Sequence, residues 1–273
     1  MKRNRGLEAL AAVLCLGVVA LAGAVLLFER EEEYVPAPNT AASGITGEQL
    51  SRSAGARLYF GHMSVGFNIL DGVAALYSEK GVAAPALLGV DLGDAVQALP
   101  EGGVVLHSEI GVNGDPLGKL ANFDAALRSG LAGDVDVAVL KFCYVDVRAT
   151  TDVEALFAAY SATMEALERD YPEVTFLYTT VPLTVPEPGL KGAVKAVLGR
   201  TDNPARERYN ALVRAKYSAT GRLFDIAATE ATAPDGTRSA ALYPGYASDG
   251  AHLNASGSAL VAAELLRLVA RVA

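Results

Sequence analysis

Short, uninterrupted apolar runs alternate with segments of helical period along most of this chain, and that alternation confines it to a mostly parallel sheet covered by helices on both faces. Strands are expected at residues 57–60, 86–90, 104–107, 136–143, 175–180 and 222–226. Several lack the polar alternation of a half-solvated sheet, as strands buried on both faces should. Within residues 152–169, Val153, Leu156, Phe157, Tyr160, Met164 and Leu167 share one helical face, with Asp152 placed as N-cap. Residues 204–217 and 254–270 read as further helices, the first opened by Pro204 and the second capped by Asn254. The fold class is therefore α/β.

Residues 9–28 carry no charge and are long enough to cross a bilayer as a helix. Lys2, Arg3 and Arg5 precede this run and Glu29, Glu31, Glu32 and Glu33 follow it, a bias that keeps the N-terminus in the cytoplasm and exports the rest. Two readings compete. One is a single-pass anchor in a bacterial cell membrane within residues 1–33. The other is a signal segment cleaved near Ala22-Gly23-Ala24, which would leave a secreted protein; the length of the run favours the anchor. Residues 34–50, rich in Pro, Ala, Thr and Gly, read as a flexible linker, and residues 51–273 as one domain. A domain of that size builds its core without a disulfide or structural metal. Its one cysteine, Cys143, has no partner within the domain and reads as a core residue rather than a nucleophile. The formal charge of the chain is −8; residues 1–33 hold four basic and five acidic side chains, which leaves −7 on the remainder. With no basic run, the domain lacks the footprint of a nucleic-acid binder. Nothing in the sequence sets the oligomeric state.

The chemistry concentrates at the two ends of the domain. Ser64 stands in Gly61-His62-Met63-Ser64-Val65-Gly66, and Asp249 and His252 share one short loop. A serine hydroxyl is a poor nucleophile at neutral pH and needs an imidazole to take its proton, usually with a carboxylate to orient the ring. Open parallel sheets bind ligands at the carboxyl ends of their strands. Ser64 follows the first strand and opens a helix carrying Phe67, Ile69, Leu70 and Val73, while Asp249 and His252 precede the last helix. The simpler alternative is that Ser64 caps its helix and Asp249 makes a turn, which leaves His252 unexplained. His107 and Glu109 form the other histidine–carboxylate pair, but three histidines without a compact ligand set do not make a metal site, and none is expected. Gly114–Lys119 lacks the Gly-Lys-Ser/Thr ending of a phosphate loop. Residues 179–199 leave a strand at its carboxyl end and read either as a substrate-binding flap or as a surface excursion.

Four blocks, Phe60-Gly61-His62-Met63-Ser64-Val65-Gly66, Gly111-Val112-Asn113-Gly114-Asp115-Pro116, Lys141-Phe142-Cys143-Tyr144-Val145-Asp146 and Asp249-Gly250-Ala251-His252-Leu253-Asn254, resemble the SGNH or GDSL hydrolase superfamily. The resemblance is to exported bacterial members with a Gly-His-x-Ser-Val-Gly serine block, and it runs from Leu58 to the C-terminus. It implies a flavodoxin-like three-layer α/β/α sandwich, an acyl-serine mechanism and no cofactor. By the same resemblance Ser64 is the nucleophile, His252 the general base and Asp249 its orienting carboxylate. Gly111 or Gly114 would supply an oxyanion-hole N–H, Asp146 would hold the serine loop, and His62 would play a structural or substrate-contact part. One departure stands out: Val145 occupies the place of the asparagine that completes the oxyanion hole. Asn113 or, as a weaker candidate, Asn68 would have to replace it. The implied activity is cleavage of a carboxylic ester, with O-acetyl groups on surface carbohydrate as the substrate guess. Acyl transfer to a sugar hydroxyl and a non-catalytic surface binding domain on the same fold are the alternatives.

Overall fold

The computed structural model describes residues 44–91, 99–199 and 201–273. The apolar run 9–28, with its anchor or signal reading, and residues 34–43 of the linker lie outside them. Among the described residues no helix is long and apolar enough to cross a membrane.

The strands β1 (Arg57–His62), β2 (Ala86–Gly89), β3 (Val104–Glu109), β4 (Val137–Leu140), β5 (Thr175–Thr179) and β6 (Leu223–Phe224) form one parallel sheet in the order β2-β3-β1-β4-β5-β6. Alternate residues of each inner strand feed opposite layers. Leu58 and Phe60 of β1, Val137 and Val139 of β4 and Leu177 of β5 pack with the helices α1 (Gly47–Ala54), α2 (Val65–Lys80), α7 (Ile226–Glu230) and α8 (Ala255–Val272). Tyr59, Ala138, Leu140, Phe176 and Tyr178 point the other way, into α3 (Pro116–Arg128), α4 (Val153–Asp170) and α6 (Asn203–Tyr217). Such double-sided burial explains why these strands read as continuous apolar runs. The chain crosses from the β3 side of β1 to the β4 side, so the crevice where an open sheet holds ligands opens at the carboxyl end of β1.

Local chemistry shifts several expected boundaries. The expected linker ends early, because Thr46 and Gln49 close a capping box that starts α1 and buries Ile45 and Leu50. Strand β4 stops at Leu140 rather than Cys143, since Cys143 N–H turns to donate to Asp146 Oδ2 at 2.6 Å. Strand β6 is cut short because Asp225 caps α7, accepting from Ala228 N–H at 3.0 Å. Residues 179–199 contain a helix, α5 (Gly189–Val197), with Leu190, Val194 and Val197 exposed. Asp152 and Asn254 cap α4 and α8 as expected.

The first and last helices of the site pack in close contact. A Cβ on Gly72 of α2 would lie 2.2 Å from the carbonyl oxygen of Ser258 in α8. Gly72→Ala therefore forces the helices apart and should destabilise the fold by about 1–3 kcal/mol, read as a lower urea midpoint at unchanged slope.

Glu230, at the end of α7, is 1% exposed and accepts the Leu183 N–H. Burial pushes its carboxyl up to about 8, against the opposing pull of that hydrogen bond, Lys141 and Arg206. The unfolded chain has its value at roughly 4.3, so between the two the folded state binds more protons. This stabilising contribution is complete below the unfolded value and is lost as the pH rises through the folded one. Glu230→Gln keeps the acceptor and removes the titration. The loss of melting temperature between about pH 5 and about pH 8.5 should be smaller in the variant than in the wild type. Parallel pH profiles would refute the assignment.

Candidate active site

Strand β1 delivers the chain to a sharp turn. Its last carbonyls are held from both sides, Gly61 O by Lys141 N–H at 3.0 Å and His62 O by Ile110 N–H at 3.1 Å. Two residues on, Ser64 has φ 50° and ψ −106°, the one positive φ among described non-glycine residues. A residue held there costs about 1–3 kcal/mol and persists only where its surroundings over-determine it. Ser64 occupies the N-cap position of α2, yet its side chain makes no capping bond. The hydroxyl instead lies 2.6 Å from His252 Nε2.

The loop before α8 supplies the rest. Asp249 Oδ2 lies 2.7 Å from His252 Nδ1, and Asp249 Oδ1 accepts the backbone N–H of His252 at 2.8 Å and of Ala251 at 3.1 Å. Burial alone would raise the Asp249 carboxyl, but these bonds outweigh it and hold it below its ordinary value. An ionised Asp249 fixes the ring proton on Nδ1, which leaves Nε2 to accept from the Ser64 hydroxyl. The loop is anchored at both ends, by Ser248 N–H on His252 O at 2.8 Å and by Leu253 N–H on Asn68 Oδ1 at 3.3 Å. Asn68 thus anchors the loop through its oxygen. Val185 N–H reaches Gly250 O at 2.8 Å, so the segment leading to α5 borders the same loop.

His62 is fully buried, which rules out the substrate contact considered from sequence. Its ring packs against Phe60, Phe67 and His107, with Nε2 3.2 Å from His107 Nδ1. Burial, with the nearby Lys141 and His107 charges, pushes its pKa down to about 3, so the ring is neutral at physiological pH. Gly66 makes room for it, since a Cβ there would lie 2.2 Å from His62 Nδ1. Among the described residues no group of three or more His, Cys, Asp or Glu could hold a metal ion.

The loop after β3 rests on a buried ion pair. Lys119 Nζ and Asp146 Oδ2 stand 2.7 Å apart with both side chains fully buried. Asp146 Oδ1 accepts Gly114 N–H at 2.8 Å, so that N–H is engaged and Gly114 is not the free donor expected from sequence. Gly111, at φ 61°, lies against Lys119 with no room for a Cβ, one residue beyond the N–H that pins β1. Lys119 Nζ also reaches Asn113 at 2.8 Å. An ammonium can only donate, so it faces the Asn113 oxygen and leaves the amide NH2 as an outward donor.

Sequence reasoning missed two buried lysines, Lys119 and Lys141, each 0% exposed. Lys141 was visible as a charge inside the run Val137-Ala138-Val139-Leu140-Lys141-Phe142-Cys143, where a strand buried on both faces should tolerate none. Its Nζ donates to Met63 O at 3.0 Å, and Cys143 Sγ meets the same oxygen at 3.2 Å.

No family model and no curated protein matches the sequence. Solved structures do. A GDSL-like lipase from Bacteroides thetaiotaomicron is 11% identical with a TM-score of 0.50, covering 86% of this chain and 96% of its own. An acetyl xylan esterase, AlAXEase, is 16% identical with a TM-score of 0.46, covering 77% of this chain and 97% of its own. At such identities the likeness concerns the fold. The six-stranded parallel sheet, its two helical layers and this likeness give the domain the three-layer α/β/α fold of the SGNH type.

Proposed function

We propose that this chain is a serine ester hydrolase of the SGNH type. The observation that carries the reading is the hydrogen-bonded line Ser64–His252–Asp249, at 2.6 and 2.7 Å, assembled from opposite ends of the domain onto a serine of strained backbone. A capping serine would need neither the strain nor the imidazole. The name of the Bacteroides neighbour, a lipase, describes ester hydrolysis and agrees with this chemistry.

In the proposed reaction Ser64 Oγ attacks the ester carbonyl carbon while His252 Nε2 takes its proton. The tetrahedral oxyanion faces the Ser64 and Gly111 N–H groups and the Asn113 NH2. Asp249 holds the imidazolium on the other side. Collapse breaks the bond to the leaving alcohol, which receives the proton from His252 and leaves an acyl-serine. Water, deprotonated by the same ring, then attacks the acyl carbon, and the bond to Ser64 Oγ breaks as His252 returns the proton to that oxygen, which frees the acid. Asp249 is exposed, so the site is open enough for a bulky alcohol. The uncharged run 9–28 and its basic leading flank support a membrane-tethered, extracytoplasmic enzyme, and O-acetylated carbohydrate is the substrate class that fits that location.

Intact-mass labelling of the full-length protein with a fluorophosphonate tests the reading. One adduct on the wild type is expected, abolished in Ser64→Ala and in His252→Ala. No adduct on folded wild type would turn the assignment toward a surface binding domain. Asn113→Ala should lower kcat by roughly a hundredfold to a thousandfold with little change in KM, the usual loss for one oxyanion donor. An unchanged kcat would assign that oxygen to other donors.

A further inference from the structure

Lys141 is fully buried just past the end of β4, and its side-chain amine has two partners among the described residues, Met63 O at 3.0 Å and Cys143 Sγ at 3.6 Å. Met63 O also receives Gly66 N–H at 3.1 Å and the Cys143 thiol at 3.2 Å. Three donors thus converge on one carbonyl oxygen. That oxygen belongs to the peptide group whose other end is the N–H of Ser64. A donor on the C=O of a peptide withdraws charge across the amide and makes its N–H a stronger donor, the cooperative effect seen in chains of hydrogen bonds.

We propose that Lys141 is a positioning residue for the oxyanion hole: by donating to Met63 O it polarises the Met63–Ser64 peptide, fixes its plane, and aims a strengthened Ser64 N–H at the developing negative charge. The rest of the site makes such a device useful. Val145 stands where the resemblance puts an asparagine, and Gly114 N–H is engaged by Asp146, so fewer donors must stabilise the oxyanion. The same contact helps hold the turn that keeps Ser64 at φ 50°. An aliphatic residue in this apolar position would fill the volume but leave Met63 O with weaker donors.

The proposal rests on Ser64 being the nucleophile, which fluorophosphonate labelling tests separately. Its own test does not need turnover. The chain has three methionines, followed by Lys2, Ser64 and Glu165, so labelling methionine with 13C at the carbonyl and serine with 15N leaves one correlated peptide, Met63–Ser64. In full-length protein in detergent micelles, its carbonyl carbon and amide proton are both expected downfield of their ordinary ranges. Lys141→Met should return both toward those ranges. It should also lower kcat on p-nitrophenyl acetate about tenfold at nearly constant KM, a fraction of the loss of a whole donor. A lowered kcat with an unmoved peak would reduce Lys141 to a structural role and overturn the proposal. An ordinary peak position in the wild type would overturn it without any variant. Should Lys141→Met fail to fold, Cys143→Ala decides: a peak that stays downfield supports Lys141 as the polarising group, and one that reverts assigns the effect to the thiol and sinks the proposal.

Discussion

The close approach of α2 and α8 is the constraint on which the site depends. Ser64 and His252 are 188 positions apart, the first at the N-cap of α2 and the second in the loop that enters α8. Their hydrogen bond can be 2.6 Å long only if the two helix starts are held in fixed register. Gly72 allows that register by letting the Ser258 carbonyl approach where any side chain would stand. Asn68, one turn into α2, completes it by accepting the Leu253 N–H from the loop that carries His252. Core packing and the geometry of the Ser64–His252 hydrogen bond are here the same contact, since the apolar faces of both helices bury against β1 and β4.

Beneath this contact lies a floor of buried polar groups. Two kinds of chemistry operate in it. The Lys119–Asp146 pair is fully desolvated, and such a pair persists where further hydrogen bonds satisfy it. Asp146 accepts from Gly114 N–H and Cys143 N–H, and Lys119 donates to Asn113, so both members are engaged and the loop after β3 is tied to the turn after β4. Among the described residues Lys141 has no carboxylate within hydrogen-bonding distance; its partners are a carbonyl and a thiol. Buried groups of this kind add little net stability, but they specify one arrangement of the backbone, and the backbone concerned is that of the two loops flanking Ser64.

The fold was legible because its strands are buried on both faces and its helices carry their own caps. Asp152 and Asn254 mark helix starts in the sequence as they do in the structure. Thr46 and Gln49 carried an equally readable capping box, overlooked because the Pro, Ala and Gly around them suggested a linker. Ser64, Asp249 and His252 were legible as a set because their chemistry requires one another and their helices bring the two ends of the domain together. Hydrogen-bond direction was not. Nothing in Gly111-Val112-Asn113-Gly114 says that the Gly114 N–H turns to Asp146 while the Asn113 oxygen turns to Lys119, since both follow from a lysine whose burial the helical period does not reveal.

On the proposed mechanism, Val145 in the place where the resemblance puts an asparagine shifts the work of the oxyanion hole onto other donors. An oxyanion hole stabilises charge through the number of its donors, their aim and the strength of each. Val145 removes one donor, and Asp146 takes a second by engaging Gly114. Two of the remaining candidates are held by buried lysines. Asn113 is oriented by Lys119, and the Met63–Ser64 peptide receives Lys141 at its carbonyl end. Low dielectric around the two buried lysines makes their contacts stronger than they would be in water. On the proposed mechanism, a hole with fewer donors gains in the aim and strength of those two part of what it loses in number.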